Sequence, residues 1–353
     1  MDIESIPVVK ILFLFALSFV VTILVTPVLT HFLYKYKLGK SIRSNAKAPI
    51  FSKFHQAKSG TPTMGGILIW GTTLLLALSF YYLSRWLPVL VPPSFNFLTR
   101  SETLLPLGAL IASAVVGLVD DIFNIRQVGA DGGGLHLRHR LLIYTIIALV
   151  GALWFYFKLD WTIIHIPFYG TVEIDSWVIP IFIFVIVATS FSVNETDGLD
   201  GLAGGVCLAA FATYVAIAFI EGKYDLATFC AVIAGALLAF LWFNIHPARF
   251  IMGDTGAMPL GVTLGIVAML TDTVWLLPFI GFILVIESGS VIIQTASKML
   301  RQGKKIFLSS PIHHHFEGIG WPEPKIVMRF WIISAVMAVM GLVFFLIDRA
   351  IVR

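Results

Sequence analysis

The sequence predicts an all-α polytopic integral membrane protein with about ten transmembrane helices, and three observations carry that reading. Of 353 residues, 58% are hydrophobic and only 12% charged, with a mean hydropathy of +0.92, more apolar surface than a soluble core requires. The apolar residues gather into runs of roughly 17 to 25, the length that crosses a bilayer core. Most of the 24 Lys and Arg residues fall in alternate connections between those runs, as the positive-inside rule demands of a multi-pass chain.

The first run, Val8 to Leu33, follows an acidic start (Asp2, Glu4) and lacks a small-residue cleavage pattern, so it reads as a retained helix and not a signal peptide. Gly65 to Leu83 is the second, and Leu104 to Val119 the third, closing on Asp120-Asp121. The fourth is Leu141 to Phe157. Beyond it, Thr162 to Ile174 is rich in β-branched and aromatic residues around Tyr169-Gly170, which predicts a small extracytoplasmic β-hairpin. Trp177 to Phe191 and Leu202 to Ile220 flank an acid-dense turn, and Leu226 to Phe243 and Gly256 to Leu270 flank a glycine-rich one. Val274 to Ile293 and Ile326 to Ile347 enclose a loop with three consecutive histidines. Cys207 and Cys230 lie inside apolar runs as packing residues, with no disulfide framework or metal-ligand spacing. No repeat, second soluble domain or nucleic-acid module is visible, so residues 1–353 form one transmembrane domain.

One set of connections carries Lys35, Lys37, Lys40, Arg43, Lys47, Lys53, Lys58, Arg126, Arg138, Arg140, Arg249, Lys298, Arg301, Lys304, Lys305, Lys325 and Arg329. The other side holds Lys10, Arg85, Arg100, Lys158, Lys223, Arg349 and Arg353. The first set is therefore cytoplasmic and both termini extracytoplasmic. The polar clusters fall in the cytoplasmic loops, about residues 34–64, 120–140, 192–201, 244–255 and 294–325, which would form the active site.

Carboxylates at the edge of hydrocarbon are costly and usually mark a site. Asp120-Asp121 would be a hydrated helix cap, an ion pair with Arg126 or Arg138, a seat for a hard divalent cation, or a base raised in pKa by its neighbour. Asn194, Glu195, Asp197 and Asp200 crowd a turn with two glycines; such a turn is common, but so much negative charge at a membrane face calls for a cation or for hydroxyl donors. Met252-Gly253-Asp254-Thr255-Gly256 places one acid between glycines that let backbone approach a ligand. His313, His314 and His315 cannot all point one way, which argues against a three-His zinc site and leaves a phosphate-contacting surface or a loop packed by Phe316 and Trp321. Glu287 lies near the membrane centre, where a buried structural acid is the plainer reading, and Gln294, on roughly the same helical face, is the better site candidate. Oxygen ligands, imidazoles and a basic first loop at one face suit phosphoryl chemistry on a substrate partly in the bilayer, with a divalent cation neutralising two approaching anions.

The motifs TPTMGG (Thr61 to Gly66), VDD (Val119 to Asp121), TDGLDGLA (Thr196 to Ala203), MGDTG (Met252 to Gly256) and PIHHHFE (Pro311 to Glu317), followed by GWPEPK, resemble those of the phospho-N-acetylmuramoyl-pentapeptide-transferases. These belong to the polyprenyl-phosphate N-acetylhexosamine-1-phosphate transferase superfamily, whose other members lack the histidine run. The resemblance covers essentially the whole chain. It implies an enzyme of the bacterial cytoplasmic (inner) membrane that transfers phospho-MurNAc-pentapeptide from its UDP carrier to undecaprenyl phosphate, giving lipid I and UMP for peptidoglycan synthesis. It further implies Mg²⁺ held by Asp254, with Asp120 deprotonating the lipid phosphate or attacking, and Asp121 beside it. The nucleoside pocket would carry over to Lys58, Thr63, Asn194, Asp197, Asp200, Asn244, Gly253 and Gln294, with His313 and His314, and His315 in the same run, toward the uridine and phosphate.

Two positions depart from that pattern: Glu195 stands where relatives have Leu, and Ile251 where they have an aromatic residue, so the ring expected to stack on uracil has no match. Phe250 is adjacent but would point elsewhere. A secondary transporter is the competing class, but transporters place their polar groups at the midplane, where only Glu287 lies here. Small-residue faces such as Gly201, Gly204 and Gly205 suit close helix packing, within the chain or in a homodimer.

Overall fold

The computed structural model describes residues 5–39, 58, 60–99, 102–129 and 134–352. Lys40, Arg43, Lys47 and Lys53 of the first basic loop, together with Asp2, Glu4, Arg100 and Arg353, lie outside them. The helices are α1 (Ser5–Lys35), α2 (Ile67–Trp86), α3 (Leu104–Ile125), α4 (Leu137–Leu159), α5 (Val178–Thr196), α6 (Leu202–Ile220), α7 (Tyr224–Asn244), α8 (Asp254–Leu270), α9 (Phe282–Leu300), α10 (Ile312–Gly318) and α11 (Glu323–Val352). Among the described residues nine of these, all but α8 and α10, are long and apolar enough to cross a membrane.

The remaining expected crossing, the eighth apolar run, forms α8, which has 17 residues, a rise of about 25 Å. It is buried from Thr255 to Leu270, packed between α3 and α5. A helix apolar on every side belongs inside a bundle. Its contact with α3 needs a glycine, because a Cβ on Gly117 would lie 2.2 Å from the Asp254 carbonyl oxygen. Around this core α1 packs on α7, and α6 lies between α7 and α11. Intramembrane hydroxyls satisfy backbone across or along helices, as with Ser18 Oγ donating to the Val232 carbonyl at 2.6 Å. Cys207 and Cys230 are free and buried.

Three local expectations are corrected. Helix α3 runs on past Val119 to Ile125, so Asp120 and Asp121 sit inside its last turns rather than at its end; their charges are tolerated because each has partners, described below. The ninth apolar run does not form one helix from Val274. A 3₁₀ turn (Val274–Leu276) and a helical turn (Leu277–Ile280) containing Pro278 precede Gly281, and α9 begins only at Phe282. The histidine run is helical, not a loop, although Phe316 and Trp321 do stack, with ring centroids 4.9 Å apart.

The hairpin forms where expected: β1 (Ile163–Ile166) pairs antiparallel with β2 (Gly170–Glu173), Ile163 opposite Glu173 and Ile166 opposite Gly170. His165 Nε2 lies 2.6 Å from Asp348 Oδ2, and the His165 N–H donates to Asp272 Oδ1 at 2.8 Å. Those contacts pin the hairpin to the end of the bundle opposite Asp254, because Asp272 follows the far end of α8.

Candidate active site

Four side chains from four helices meet where α8 begins. Arg140, in the first turn of α4, directs Nη2 to Asp120 Oδ2 at 2.6 Å and to Asp254 Oδ2 at 2.9 Å, and Nη1 to Asn194 Oδ1 at 3.0 Å. Asn194 Nδ2 in turn donates to Asp254 Oδ1 at 2.5 Å. One guanidinium thus bridges α3, α5 and α8, and its planar fork makes three charge-assisted contacts that an ammonium could not make at once. Asp120 also accepts the Leu135 N–H. Arg140 is therefore the ion-pair partner of Asp120, the role expected of Arg126 or Arg138. Nothing in the sequence separates it from the other membrane-edge cations.

Asp121 faces elsewhere. Its Oδ1 accepts the Asp254 N–H at 3.2 Å and its Oδ2 the Thr255 N–H at 3.0 Å, so the carboxylate caps the positive end of α8. Thr63 Oγ1 lies 3.4 Å from Asp121 Oδ1. Gly253, just before α8, has φ +76° and donates its N–H to Asp197 Oδ2 at 3.2 Å. A Cβ there would fall 2.5 Å from Thr63 Oγ1 and 2.6 Å from Asp121 Oδ2.

A second cluster borders the acidic turn. Lys58 Nζ lies 2.7 Å from Asp200 Oδ1 and 2.5 Å from Glu323 Oε1, and His246 Nδ1 is 3.0 Å from Asp200 Oδ2. Glu323 Oε1 also accepts the Asp200 N–H at 2.6 Å. Ligand atoms of Asp200, His246 and Glu323 lie within 4.8 Å of one another, but the Lys58 ammonium already bridges two of them. Glu323 and His246 were not anticipated, since one sits in a proline-flanked helix start and the other beside a turn proline, both ordinary contexts.

Other anticipated residues have their polar groups engaged by backbone. Asn244 accepts the Gly201 N–H at 3.0 Å and donates to the Phe250 carbonyl at 2.8 Å, joining the two glycine-rich turns. Gln294 donates to the Phe307 carbonyl at 2.8 Å and accepts the Ile306 and Phe307 N–H groups at 2.9 and 3.1 Å, tying the loop after α9 to that helix. His315 Nδ1 accepts the Leu308 N–H at 3.2 Å. His314 Nδ1 is 2.7 Å from Glu317 Oε2, and His313 Nδ1 is 2.9 Å from Glu287 Oε2, so neighbouring histidines turn to different acids. Burial alone would lower the pKa of His313, but the carboxylates of Glu287, Glu317 and Glu195 outweigh it and hold the ring above its usual value. Phe250 is fully buried against Phe240 and Phe243, with ring centroids 5.8 and 6.0 Å away. Cβ atoms on Gly204 and Gly205 would meet Leu241 at 2.8 Å and Trp331 at 2.0 Å; this face packs against α7 and α11 of the same chain.

The described residues form a polytopic helical bundle with acids, an amide and a guanidinium gathered at one end, and comparison with known proteins gives its class, a membrane-embedded transferase. Residues 103–272 match the model of glycosyl transferase family 4, and residues 58–69 match the phospho-N-acetylmuramoyl-pentapeptide-transferase signature 1. A phospho-N-acetylmuramoyl-pentapeptide-transferase of Chloroflexus aggregans is 38% identical over 343 residues, covering 94% of this chain and 88% of the relative. One from Geobacillus sp. (strain WCH70) is 40% identical over 337 residues, covering 92% and 95%, and one from Clostridium novyi is 37% identical over 327 residues, covering 92% and 93%. The chain belongs to the phospho-N-acetylmuramoyl-pentapeptide-transferase family.

Proposed function

We propose that this enzyme transfers phospho-MurNAc-pentapeptide from UDP-MurNAc-pentapeptide to undecaprenyl phosphate, releasing UMP and forming lipid I at the cytoplasmic face of the bacterial inner membrane. The observation that carries the reading is the convergence of Asp120, Arg140, Asn194 and Asp254 at one end of the bundle. The lopsided Lys and Arg distribution supports the cytoplasmic assignment of that end.

The donor set fits a hard divalent cation. Asp254 and Asp120 offer carboxylate oxygens and Asn194 an amide oxygen, the hard ligands such an ion takes. Asp254, oriented by Asn194 and by its place at the start of α8, would hold Mg²⁺. The ion supplies charge neutralisation between the diphosphate and the lipid phosphate when bound. Arg140 would contact phosphate oxygens beside it. Asp120, buried near the membrane end of α3, would take the proton of the lipid phosphate, whose second pKa is about 6, so base help is the smaller contribution. Lys58 and Asp200 would meet the nucleoside, and Asp121, Asn244 and Gln294 would hold the turns that surround it.

The test is direct. Purified enzyme in detergent, given both substrates and Mg²⁺, is expected to release UMP and yield a lipid-linked product in equal amounts. Folded enzyme that releases no UMP overturns the proposal.

A further inference from the structure

Glu287 and His313 stand apart from the network around Arg140. Glu287 comes from α9, His313 from the short helix α10, and both side chains are fully buried. A carboxylate only accepts, so the 2.9 Å contact puts a proton on His313 Nδ1. The other ring nitrogen, Nε2, is buried and has no hydrogen-bond partner among the described residues. It faces the acidic turn, where a Cβ built on Gly198 would lie 2.2 Å away. A buried polar atom is normally paired; one aimed at a site is completed by whatever binds there.

We infer that Glu287 is a positioning residue: it fixes the His313 ring through Nδ1 so that Nε2–H is presented to an anionic oxygen of the bound nucleotide-sugar. The inference rests on the transferase reading above. It gives a role to an acid placed deep in a membrane helix, where an unpaired carboxylate would be costly. The groups facing the ring are Glu287 from α9, Glu317 and His314 from α10, and Glu195 from the end of α5. Three carboxylates around one imidazole favour the doubly protonated ring, the form in which Nε2 donates. A carboxylate that accepts one ring N–H and so fixes the direction of the other nitrogen is a recurrent device.

Glu287→Gln keeps an acceptor for Nδ1–H and nearly the same shape while removing the charge. In the full-length enzyme we expect KM for UDP-MurNAc-pentapeptide to rise about tenfold, the loss of one charge-assisted contact, with kcat changed far less. The alkaline limb of kcat/KM should move to lower pH. A purely structural role would lower Tm and leave that limb in place. Independently of turnover, ¹⁵N NMR of imidazole-labelled enzyme, with His313 identified by its loss in His313→Asn, should show both His313 ring nitrogens protonated up to a higher pH in wild type than in Glu287→Gln. A His313 ring that titrates at the same pH in wild type and Glu287→Gln, or a Glu287→Gln enzyme with unchanged KM and pH limb, overturns the inference. Absence of UMP release from wild type would instead overturn the transferase reading, and the NMR result would still report on the Glu287–His313 pair.

Discussion

Asp121 caps the helix that Asp254 begins: its two carboxylate oxygens accept the backbone N–H groups of Asp254 and Thr255 at 3.2 and 3.0 Å. Neighbours in sequence, Asp120 and Asp121 therefore do different things, one pairing with Arg140 and the other holding α8 in place. Asp121→Ala removes the cap and is expected to cost about 1–2 kcal/mol of stability, measured as a fall in the thermal midpoint in detergent. An unchanged midpoint would reject the capping role.

Asp254→Asn should abolish UMP release and weaken the response to Mg²⁺, because the amide no longer supplies the charge that draws the cation. Asp120→Asn should abolish UMP release while nucleotide binding, followed by calorimetry, stays near that of wild type. Full activity in Asp254→Asn would overturn the metal assignment.

Arg140→Lys keeps a positive charge but cannot reach Asp120, Asp254 and Asn194 together. UMP release should fall by about tenfold or more, the equivalent of about 1.4 kcal/mol. Arg140→Ala leaves two carboxylates facing each other, and a stability loss of about 3–5 kcal/mol is expected on thermal unfolding. A fully active Lys variant would show that the fork geometry is dispensable.

Gly253→Ala should be as damaging as loss of a charged residue. The new Cβ would meet Thr63 Oγ1 and Asp121 Oδ2 at 2.5 and 2.6 Å, at a backbone with φ +76°, and left-handed strain alone costs about 1–3 kcal/mol. The variant should melt lower and lose activity; wild-type values for both would refute the close approach.

Stability should depend on pH through His313. Its pKa is raised in the folded protein, mainly by Glu287 against the opposing effect of burial. The ion pair therefore stabilises fully below the unfolded value of about 6.5, and that contribution disappears as pH rises through the higher folded pKa. A thermal midpoint that declines across that range in wild type, and does so less in Glu287→Gln, is the expected result. Identical curves would remove the pair from the stability of the fold.

The architecture was legible because hydrocarbon is a simple solvent: run length and cation bias predict crossings without packing detail, and β-branched residues around Tyr169-Gly170 predict the hairpin. Asp120, Asn194 and Asp254 were visible because acids and amides beside apolar runs are conspicuous. Arg140 was not, since a cation at a membrane edge is ordinary until its partners are known. Neither were the backbone clamps of Asn244 and Gln294, whose amides serve loops folded back onto them. The continuation of α3 through Asp120 and Asp121 was hidden because charge usually ends an apolar helix, and here partners on α4 and α8 let it proceed.

Helix α8 is surrounded on every side and locked to α3 at Gly117. It has no free flank along which to tilt, slide or rotate without dragging its neighbours. Asp254 at its tip is therefore a stationary datum against which the surrounding segments are set. The loop after α9 and the helix α10 are tied to the core by Gln294 and Glu287 and by Phe316 packed on Trp321 and Phe330. On the proposed function, a nucleotide arriving from water and a lipid arriving from the bilayer would bring their reacting phosphates to that one fixed point.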